Sequence, residues 1–200
     1  LGLNDHTAAF AAAQQALQNA GLTPQDLDLI VVATITPDMY FPSTACRIQD
    51  NLGAHCGAFD LAAACSGFPY GVTVAEGFIA TGHYKHVLVI GAEVLSGFID
   101  WKDRSTCVLF GDGAGAAVVS RSDDDSRILA SLLGSDGSQG EILKIPGGGS
   151  ACPPSHESLD QGLHFLKMEG SEVFKVAVRT MELAVRDVLE KGGMTLDQID

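Results

Sequence analysis

Positive charge is scarce in this sequence, and long apolar runs are missing from it. Its 200 residues include 12 Lys and Arg against 25 Asp and Glu, which gives a formal net charge of −13. Surfaces that bind nucleic acid or anionic lipid carry a basic excess. No apolar run reaches the ~18–20 residues of a membrane span. We therefore expect neither nucleic acid nor a membrane as a partner.

The cysteine spacing of a metal site or a disulfide framework is missing too. The five cysteines are odd in number and form no CxxC pair, a pattern that indicates reduced thiols and hence the cytoplasm. We predict a cytoplasmic protein without a metal centre. The chain begins with neither Met nor a targeting segment, so we expect it to be part of a longer protein. The cysteines are Cys46, Cys56, Cys65, Cys107 and Cys152.

What the sequence contains is a regular alternation of helical and strand patterns. Hydrophobic residues make up 46% of it and 23 residues are Gly, which is typical of a folded globular chain. Helices that alternate with apolar strands are typical of the layered α/β class, in which a mostly parallel sheet is covered on both faces. The predicted helices are 5–20, 43–52 and 66–80, and the predicted strands are 27–36, 57–64 and 86–92.

The second part of the sequence departs from this alternation. Residues 113–120 and 127–133 have strand patterns with no helix between them, so we predict that they pair through the intervening turn. Residues 134–162 are rich in Gly and Pro and are interpreted as a long surface excursion. A short strand at 163–168 and a long helix at 171–191 follow. The apolar stripe of this helix is Phe174, Ala177, Val178, Met181, Ala184, Val185 and Val188.

Two segments of the sequence are similar to each other. Residues 17–28 and 189–200 each cover the end of a helix and its exit, and they share Leu, Gly, Thr and Asp at matching positions. A core strand follows the first copy, whereas the sequence stops after the second. We interpret this as a duplicated α/β architecture, with a nucleophile-bearing half at 1–162 and the truncated start of a second half at 163–200.

Cys65 stands between an apolar strand pattern and a helix that begins at Ser66. A strand-turn-helix elbow presents a nucleophile at a helix N-terminus, where partial positive charge and unpaired N–H groups favour the thiolate. The alternative for any cysteine is an inert, buried thiol. The position of Cys65 at the elbow favours the functional interpretation.

Four blocks of residues carry a family resemblance. They are DLAAACSGF at 60–68, FPSTACRIQ at 41–49, DRSTCVLFGDGAGA at 103–116 and MEGSEVFKV at 168–176. Together, in register along the whole chain, they resemble the β-ketoacyl-acyl-carrier-protein synthase III family, and the first is similar to the nucleophile motif of these condensing enzymes. The resemblance implies a thiolase-like α/β fold of two duplicated halves, in agreement with the internal repeat.

The resemblance also implies a reaction. Cys65 would attack an acyl-CoA thioester, such as acetyl-CoA, and hold the acyl group for condensation with malonyl-acyl carrier protein. The backbone N–H of Cys65 would form half of an oxyanion hole. The family's catalytic His and Asn have no match here, so we expect both to lie beyond Asp200 and this chain alone to be catalytically incomplete. No cofactor is implied, because the coenzyme A thioester is itself the substrate.

Binding positions follow from the same blocks. Arg104 is expected at the mouth of the pantetheine tunnel, where a guanidinium suits both phosphate and base. Leu95 is expected in the acyl pocket, and Phe41 is expected to reach across a homodimer into the pocket of the partner. Core packing is the favoured alternative for Leu95 and Leu109 taken alone. The tunnel would be lined by Leu109, Phe110, Met168, Gly170 and Phe174.

Basic side chains at Lys175, Arg179 and Arg186 share one face of the last predicted helix. The resemblance suggests that Lys175 and Arg179 dock an acidic carrier protein, and a solvated helix face with interspersed acids is the alternative. Two other functions stay open. One is a different thiolase-superfamily acyltransferase, such as a hydroxymethylglutaryl-CoA-synthase-like enzyme. The other is a non-catalytic thiolase-like dimerisation scaffold.

Overall fold

The computed structural model describes residues 4–124 and 126–199. Asp200, which closes the predicted repeat, and residue 125, in the predicted turn after 113–120, lie outside the described residues. The chain divides into two compact units, Leu1–Leu95 with Asp112–Arg127 and Ser96–Gly111 with Ile128–Asp200. The predicted division after residue 162, which separates duplicated halves, stays a prediction.

A four-stranded mixed sheet forms the centre of the first unit, with the strand order β2-β1-β3-β4. Its strands are β1 (Leu29–Ala33), β2 (Gly57–Leu61), β3 (His86–Val94) and β4 (Asp112–Ser120). The first three are parallel, and β4 is antiparallel to β3. The predicted α/β class with a mostly parallel sheet is confirmed. Because β1, β2 and β3 are parallel, their carboxyl ends share one edge of the sheet.

Helices cover both faces of this sheet. They are α1 (Asp5–Ala20), α2 (Thr44–Leu52) and α3 (Gly67–Ala80). Along β1 the side chains alternate between two apolar clusters. Ile30 joins the cluster that contains residues of α1 and α2, and Val31 joins the cluster that contains Ala75 of α3.

Local capping residues begin and end the helices where the sequence predicts. Asn4 and Ser43 precede α1 and α2, and the Ser43 hydroxyl accepts a hydrogen bond from the backbone N–H of Cys46. Both helices end at a glycine in the left-handed region, at φ 66° for Gly21 and 68° for Gly53. Glycine adopts this conformation without a steric penalty, so it ends the helix cleanly.

The predicted pairing of 113–120 with 127–133 is wrong. β4 instead pairs with β3 along its whole length, from Asp112 opposite Val94 to Ser120 opposite His86. Residues 127–133 form no strand, and Leu129 among them is 59% exposed. An apolar strand pattern becomes a strand only where another strand satisfies its backbone groups. From Ile128 on, the chain belongs to the second compact unit and not to the unit that contains this sheet.

The described part of the second unit contains two short antiparallel strands and two α-helices. Its elements are β5 (Leu143–Lys144), antiparallel to β6 (Lys167–Met168), with α4 (His156–Asp160) between them and α5 (Gly170–Gly192) after them. The segment predicted as a surface excursion therefore contains β5 and α4. The predicted strand at 163–168 is reduced to β6.

The apolar stripe of α5 lies at the surface of the second unit. Phe174 is 69% exposed and Met181 is 67% exposed, and α5 has no buried residue. The predicted extent and amphipathic pattern of the helix are confirmed, but within the described residues its apolar face is not covered. Of the helices in residues 4–124 and 126–199, none has both the length and the apolar character of a membrane span.

The two matching segments also have matching backbones. Gly21 and Gly193 end their helices at φ 66°, ψ 28° and φ 65°, ψ 30°. Two residues later, Thr23 and Thr195 each open a capping box, in which the backbone N–H donates to the side chain three residues on at 2.8 Å. The similarity that the sequence indicates is therefore present in the geometry of both helix exits.

Candidate active site

Cys65 lies where β2 passes into α3. It is the central residue of a single 3₁₀ turn, Ala64–Ser66, and α3 begins at the next residue, Gly67. Its side chain is exposed. The alternative interpretation as a buried thiol is wrong for this residue, because the turn places it in an exposed position after the strand.

The elbow contains a strained residue. Ala64 has φ 45°, the only positive φ of a non-glycine residue in the described part of the chain. An L-residue in this region costs on the order of 1–3 kcal/mol, and such strain persists only where the surrounding structure enforces it. The hydrogen bonds of the turn run from the Ser66 N–H to Ala63 O and from the Gly67 N–H to Ala64 O. The N–H of Cys65 takes part in neither of these two hydrogen bonds.

Close packing of α3 on the sheet enforces the elbow. A methyl group at Gly67 would place its carbon 2.9 Å from the Cβ of Ala33, and one at Gly71 would lie 2.8 Å from a methyl carbon of Val89. The backbone also ties β1 to the end of β2, because the Thr34 N–H donates to Leu61 O at 3.1 Å. The N-terminus of α3, with its partial positive charge, is thereby held at Cys65.

Asp60, five residues before Cys65, joins β2 to α2. Its two carboxylate oxygens accept from the backbone N–H groups of Thr44 and Ala45, each at 2.8 Å. These are two of the N–H groups that the first turn of a helix leaves unpaired. A carboxylate at this position also interacts favourably with the helix dipole, so the strand that leads to Cys65 and the helix beside it are fixed to each other.

A second polar group lies at the carboxyl ends of β1 and β3. The Glu93 carboxylate accepts from the Ile35 N–H at 3.0 Å and from the Thr36 hydroxyl at 2.6 Å. The Thr36 hydroxyl in turn accepts from the Val94 N–H at 2.8 Å. Burial raises the pKa of Glu93, against the lowering effect of these hydrogen bonds.

Next to it, Asp38 bridges α1 and α2. One oxygen of its carboxylate accepts from the Arg47 guanidinium at 2.5 Å and also contacts Nδ1 of His6. Arg47 donates a further bond to Nε2 of His6 at 3.3 Å. Since Nε2 accepts, the ring proton is on Nδ1 and points at Asp38, so the three side chains form a closed triangle.

Asp5 is the most deeply buried carboxyl group near this site. It is 1% exposed, and among the described residues neither of its oxygens has a hydrogen-bond partner. Burial raises the pKa of Asp5 to about 7, helped by the negative charges of Glu93 and Asp38 and opposed by the hydroxyls of Thr34 and Thr44. A group of this kind changes protonation near neutral pH.

The expected site residues fall in both units. In the first unit, Phe41 is 85% exposed and Leu95, directly after β3, is half-buried. In the second unit, the core-packing alternative for Leu109 is wrong, because its side chain is 65% exposed. The remaining positions of the expected tunnel are half-buried or exposed in the second unit: Phe110, Met168, Gly170 and Phe174.

Arg104 is exposed on a turn that Asp103 organises. The Asp103 carboxylate accepts from the Ser105 N–H at 2.9 Å, from the Ser105 hydroxyl at 2.6 Å and from the Thr106 hydroxyl at 2.9 Å. These bonds hold the pKa of Asp103 below its usual range. Thr106 is fully buried and anchors the turn, so Arg104 projects from a rigid base.

The basic face of α5 is exposed but partly paired. Lys175 contacts Glu172 at 2.8 Å, and Arg186 contacts Glu182 at 2.9 Å. Arg179 is exposed on the same helix. Exposed ion pairs of this kind contribute little to stability, so both cations can exchange their partners for another acidic group.

The other cysteines show no comparable setting. Cys46 is exposed on α2, and its thiol faces Ala58 O at 3.7 Å. Burial raises the pKa of Cys56, which makes its thiol less reactive. Across residues 4–124 and 126–199, no group of three metal-ligating side chains converges.

Sequence reasoning missed the charged side chains around the loop after β1. In the sequence, either Asn4 or Asp5 can be the cap of the first helix; in the structure Asn4 is at the N-cap position and Asp5 is buried. Asp38 and Glu93 follow the predicted strands 27–36 and 86–92. A charged residue shortly after an apolar strand was the available signal for a polar cluster at the strand ends. Their partners lie as far as 58 residues away in sequence, so the sequence alone could not identify them.

Comparison with known proteins identifies the family that this chain resembles. Residues 59–137 match the family described as 3-oxoacyl-[acyl-carrier-protein (ACP)] synthase III. The chain is 56% identical, over 193 residues, to a β-ketoacyl-[acyl-carrier-protein] synthase III of Caldanaerobacter subterraneus subsp. tengcongensis, with 96% of this chain and 58% of that protein covered. It is 52% identical to the synthase III of Natranaerobius thermophilus, with 94% and 59% covered.

Solved structures agree. The 3-oxoacyl-[acyl-carrier-protein] synthase III of Aquifex aeolicus superposes with a TM-score of 0.89 at 48% identity, and 100% of this chain and 60% of that one are covered. A synthase III of Thermus thermophilus has a TM-score of 0.87 at 36% identity, with 98% and 60% covered. The chain thus spans less than two thirds of the length of the proteins it matches.

Proposed function

Because this chain belongs to the β-ketoacyl-acyl-carrier-protein synthase III family, we propose that it is the acyl-accepting part of a condensing enzyme, an acyltransferase that initiates fatty-acid synthesis. The observation that carries this proposal is the exposed thiol of Cys65, held by a strained turn at the N-terminus of α3. The proposal concerns a whole enzyme of this family. The chain corresponds to about three fifths of the length of such a relative.

In the first step, the Cys65 sulfur attacks the carbonyl carbon of an acyl-CoA such as acetyl-CoA. A carbon–sulfur bond to Cys65 forms, the bond to coenzyme A breaks, and the released coenzyme A thiolate takes up a proton. Negative charge develops on the carbonyl oxygen before that bond breaks. The Cys65 N–H, which the turn does not use, supplies one donor to this oxygen, and the helix N-terminus adds a favourable potential.

In the second step, malonyl-acyl carrier protein loses CO₂, and the resulting carbanion attacks the acyl group on Cys65. A carbon–carbon bond forms and the Cys65 thiolate leaves, which regenerates the nucleophile. The thioester intermediate divides one difficult reaction into two easier ones. The acyl group arrives already activated, so the reaction requires no cofactor beyond the coenzyme A of the substrate.

Several residues take substrate-binding roles in this proposal. Arg104 pairs with the nucleotide part of coenzyme A, because an exposed guanidinium on a rigid turn can contact phosphate and stack on a base. Leu95 contacts the acyl chain, and Phe41 closes the acyl pocket of the partner in a homodimer. The pantetheine arm passes Leu109, Phe110, Met168, Gly170 and Phe174.

The proposed carrier-protein surface is on α5. Lys175 and Arg179 are exposed there, and both can pair with acidic side chains of acyl carrier protein. The net charge of the whole chain is −13, so an acidic partner needs exposed basic side chains such as these in order to bind. We assign the enzyme to the cytoplasm, where acyl-CoA substrates and reduced thiols coexist.

Transfer of an acyl group to Cys65 can be tested directly. Incubation with acetyl-CoA, followed by intact-mass analysis, is expected to add one acetyl group to the wild-type chain. Cys65→Ala should lose the adduct. Cys46→Ala removes another exposed thiol and should keep it.

The opposite results would overturn the proposal. An adduct that persists in Cys65→Ala places acylation at another thiol. No adduct in the wild type, while iodoacetamide still alkylates Cys65, excludes acyl transfer to this residue and favours a scaffold role.

A further inference from the structure

The loop between β1 and α2, residues 34–43, combines a buried polar base with an exposed apolar tip. Thr34 and Thr36 are 5% and 3% exposed at its base, whereas Tyr40 and Phe41 are 80% and 85% exposed at its tip. Loops of this length without regular structure are usually mobile. An apolar tip on a mobile loop would collapse onto the nearest apolar surface, so something holds this tip outward.

Polar side chains from three separate elements hold the base of the loop. Glu93 of β3 accepts hydrogen bonds from Ile35 and Thr36 of the loop. Further along the loop, Asp38 binds His6 of α1 and Arg47 of α2. We call the His6, Asp38 and Arg47 side chains the loop clamp. The side chains of the clamp are largely buried, at 14%, 7% and 30% exposed respectively.

Two of the three bonds in the clamp converge on the Asp38 carboxylate. Asp38 accepts from both other side chains, and Arg47 also donates to Nε2 of His6. Without the carboxylate, the Nδ1–H of His6 would have no acceptor, and Arg47 would keep only Nε2 of His6. Charged groups are costly to bury, and in some proteins they are retained because they specify one arrangement.

We propose that Asp38 is a positioning residue: through His6 and Arg47 it fixes the 34–43 loop and so the direction in which Phe41 projects. Phe41 follows Asp38 by three residues, which is too short a connection to reorient freely once Asp38 is fixed on two helices. The effect on acyl-chain selection rests on the role proposed above for Phe41. The anchoring of the loop does not depend on that role.

The anchoring is tested by limited proteolysis of the whole chain with chymotrypsin. Tyr40 offers an exposed cleavage site, whereas cleavage after Phe41 is blocked by Pro42. Asp38→Asn is expected to raise the rate of cleavage after Tyr40 at least about ten-fold, since charge-assisted hydrogen bonds are the strong ones and local opening controls proteolysis. Cleavage after Phe174 on α5 should stay unchanged.

Two further variants make this result specific. Asp123→Asn removes another arginine-paired aspartate, with Arg121 at 4.0 Å and a side chain 99% exposed, and should leave cleavage after Tyr40 at the wild-type rate. Arg47→Lys keeps the charge, but a single ammonium cannot reproduce the fork that bonds both Asp38 and His6. It should give an intermediate rate, and it replaces Asp38→Asn if that variant does not fold.

A wild-type cleavage rate in Asp38→Asn would overturn the anchoring, and so would equal increases after Tyr40 and Phe174, which indicate global unfolding. The second measurement compares acylation of Cys65 by acetyl-CoA and octanoyl-CoA. Asp38→Asn should change the ratio of the two rates at least about threefold, a modest difference in binding free energy, and leave alkylation by iodoacetamide unchanged.

An unchanged ratio would overturn the role of Asp38 in acyl selection. If the wild type accepts neither acyl group, the function proposed above fails, and the cleavage rates alone decide whether Asp38 anchors the loop.

Discussion

Gly67, the first residue of α3, lies against Ala33, the last residue of β1, with no room for a side chain between them. A methyl carbon at Gly67 would be 2.9 Å from the Cβ of Ala33. The N-terminus of α3 can therefore approach the carboxyl end of β1 this closely only because residue 67 is glycine. This contact determines how close the start of α3, and with it Cys65, comes to the carboxyl end of β1.

Gly67→Ala should destabilise the protein by roughly 1–3 kcal/mol, because the added methyl group overpacks the contact with Ala33. Gly77 in the same helix has open space around it, so Gly77→Ala should instead stabilise by roughly 0.5–1 kcal/mol through helix propensity. Urea denaturation of both variants measures the difference. Equal stabilisation by the two substitutions would contradict the close approach of α3 to β1.

The buried carboxyl of Asp5 should make stability depend on pH. Its pKa of about 7 in the folded state lies above the ordinary value of 3.8, so the folded protein binds the proton more tightly than the unfolded chain. The resulting stabilisation is complete below about pH 4 and is lost as pH rises to about 7. The loss is on the order of a few kcal/mol, because one pKa unit corresponds to about 1.4 kcal/mol.

Asp5→Asn keeps the shape of this side chain without the charge. The free energy of unfolding of the variant, relative to wild type, should therefore increase between pH 4 and pH 8 and level off above it. Denaturant titrations at several pH values provide the measurement, with Asp50→Asn on the exposed surface of α2 as control. A variant that tracks the wild type at every pH would show that Asp5 titrates normally.

The turn that carries Arg104 should be rigid as long as Asp103 is ionised. Trp101, 66% exposed and the one tryptophan of the chain, lies two residues before Asp103 and reports on this turn. Asp103→Asn should lower the fluorescence anisotropy of Trp101, because a neutral amide is a weaker acceptor for Ser105 and Thr106. In the wild type the anisotropy should hold from pH 7 to about 4 and fall only in stronger acid, since the pKa of Asp103 is lowered.

Asp136 forms a similar turn in the same unit and serves as the matched control. Its carboxylate accepts from the N–H and hydroxyl of Ser138 at 3.0 and 2.6 Å. Asp136→Asn should leave the anisotropy of Trp101 at its wild-type value. A decrease in this variant too would indicate a general loosening of the unit.

Elements whose signals are local were predictable. The start of α2 depends on Ser43, and the ends of α1 and α2 depend on Gly21 and Gly53, all of which act on backbone groups within a few residues. The strand pairing of 113–120 was not predictable, because β4 pairs with β3 and not with the strand pattern that follows it. The paired residues are 18 (Val94 and Asp112) to 34 (His86 and Ser120) positions apart in the sequence. Sequence proximity suggested the hairpin, but β4 extends the sheet of the first unit, and from Ile128 on the chain belongs to the second.

The candidate nucleophile followed from sequence because its signal is also local: an apolar strand, a turn and a helix start surround Cys65 within ten residues. The strain at Ala64 could not be predicted from the sequence. We attribute the positive φ of this alanine to the packing of Gly67 and Gly71 on the sheet. Nothing in the residue types around Ala64 demands that conformation.

The order of residues alone determined the class of fold, the extent of most helices and the cysteine at the elbow, since periodicity and capping operate over one or two turns. Tertiary structure decided which charged groups meet. His6 and Asp38 are 32 residues apart and Asp38 and Glu93 are 55 apart in the numbering, and only the parallel register of β1 beside β3, with α1 and α2 packed on one face, brings them together around the loop that leads to Phe41.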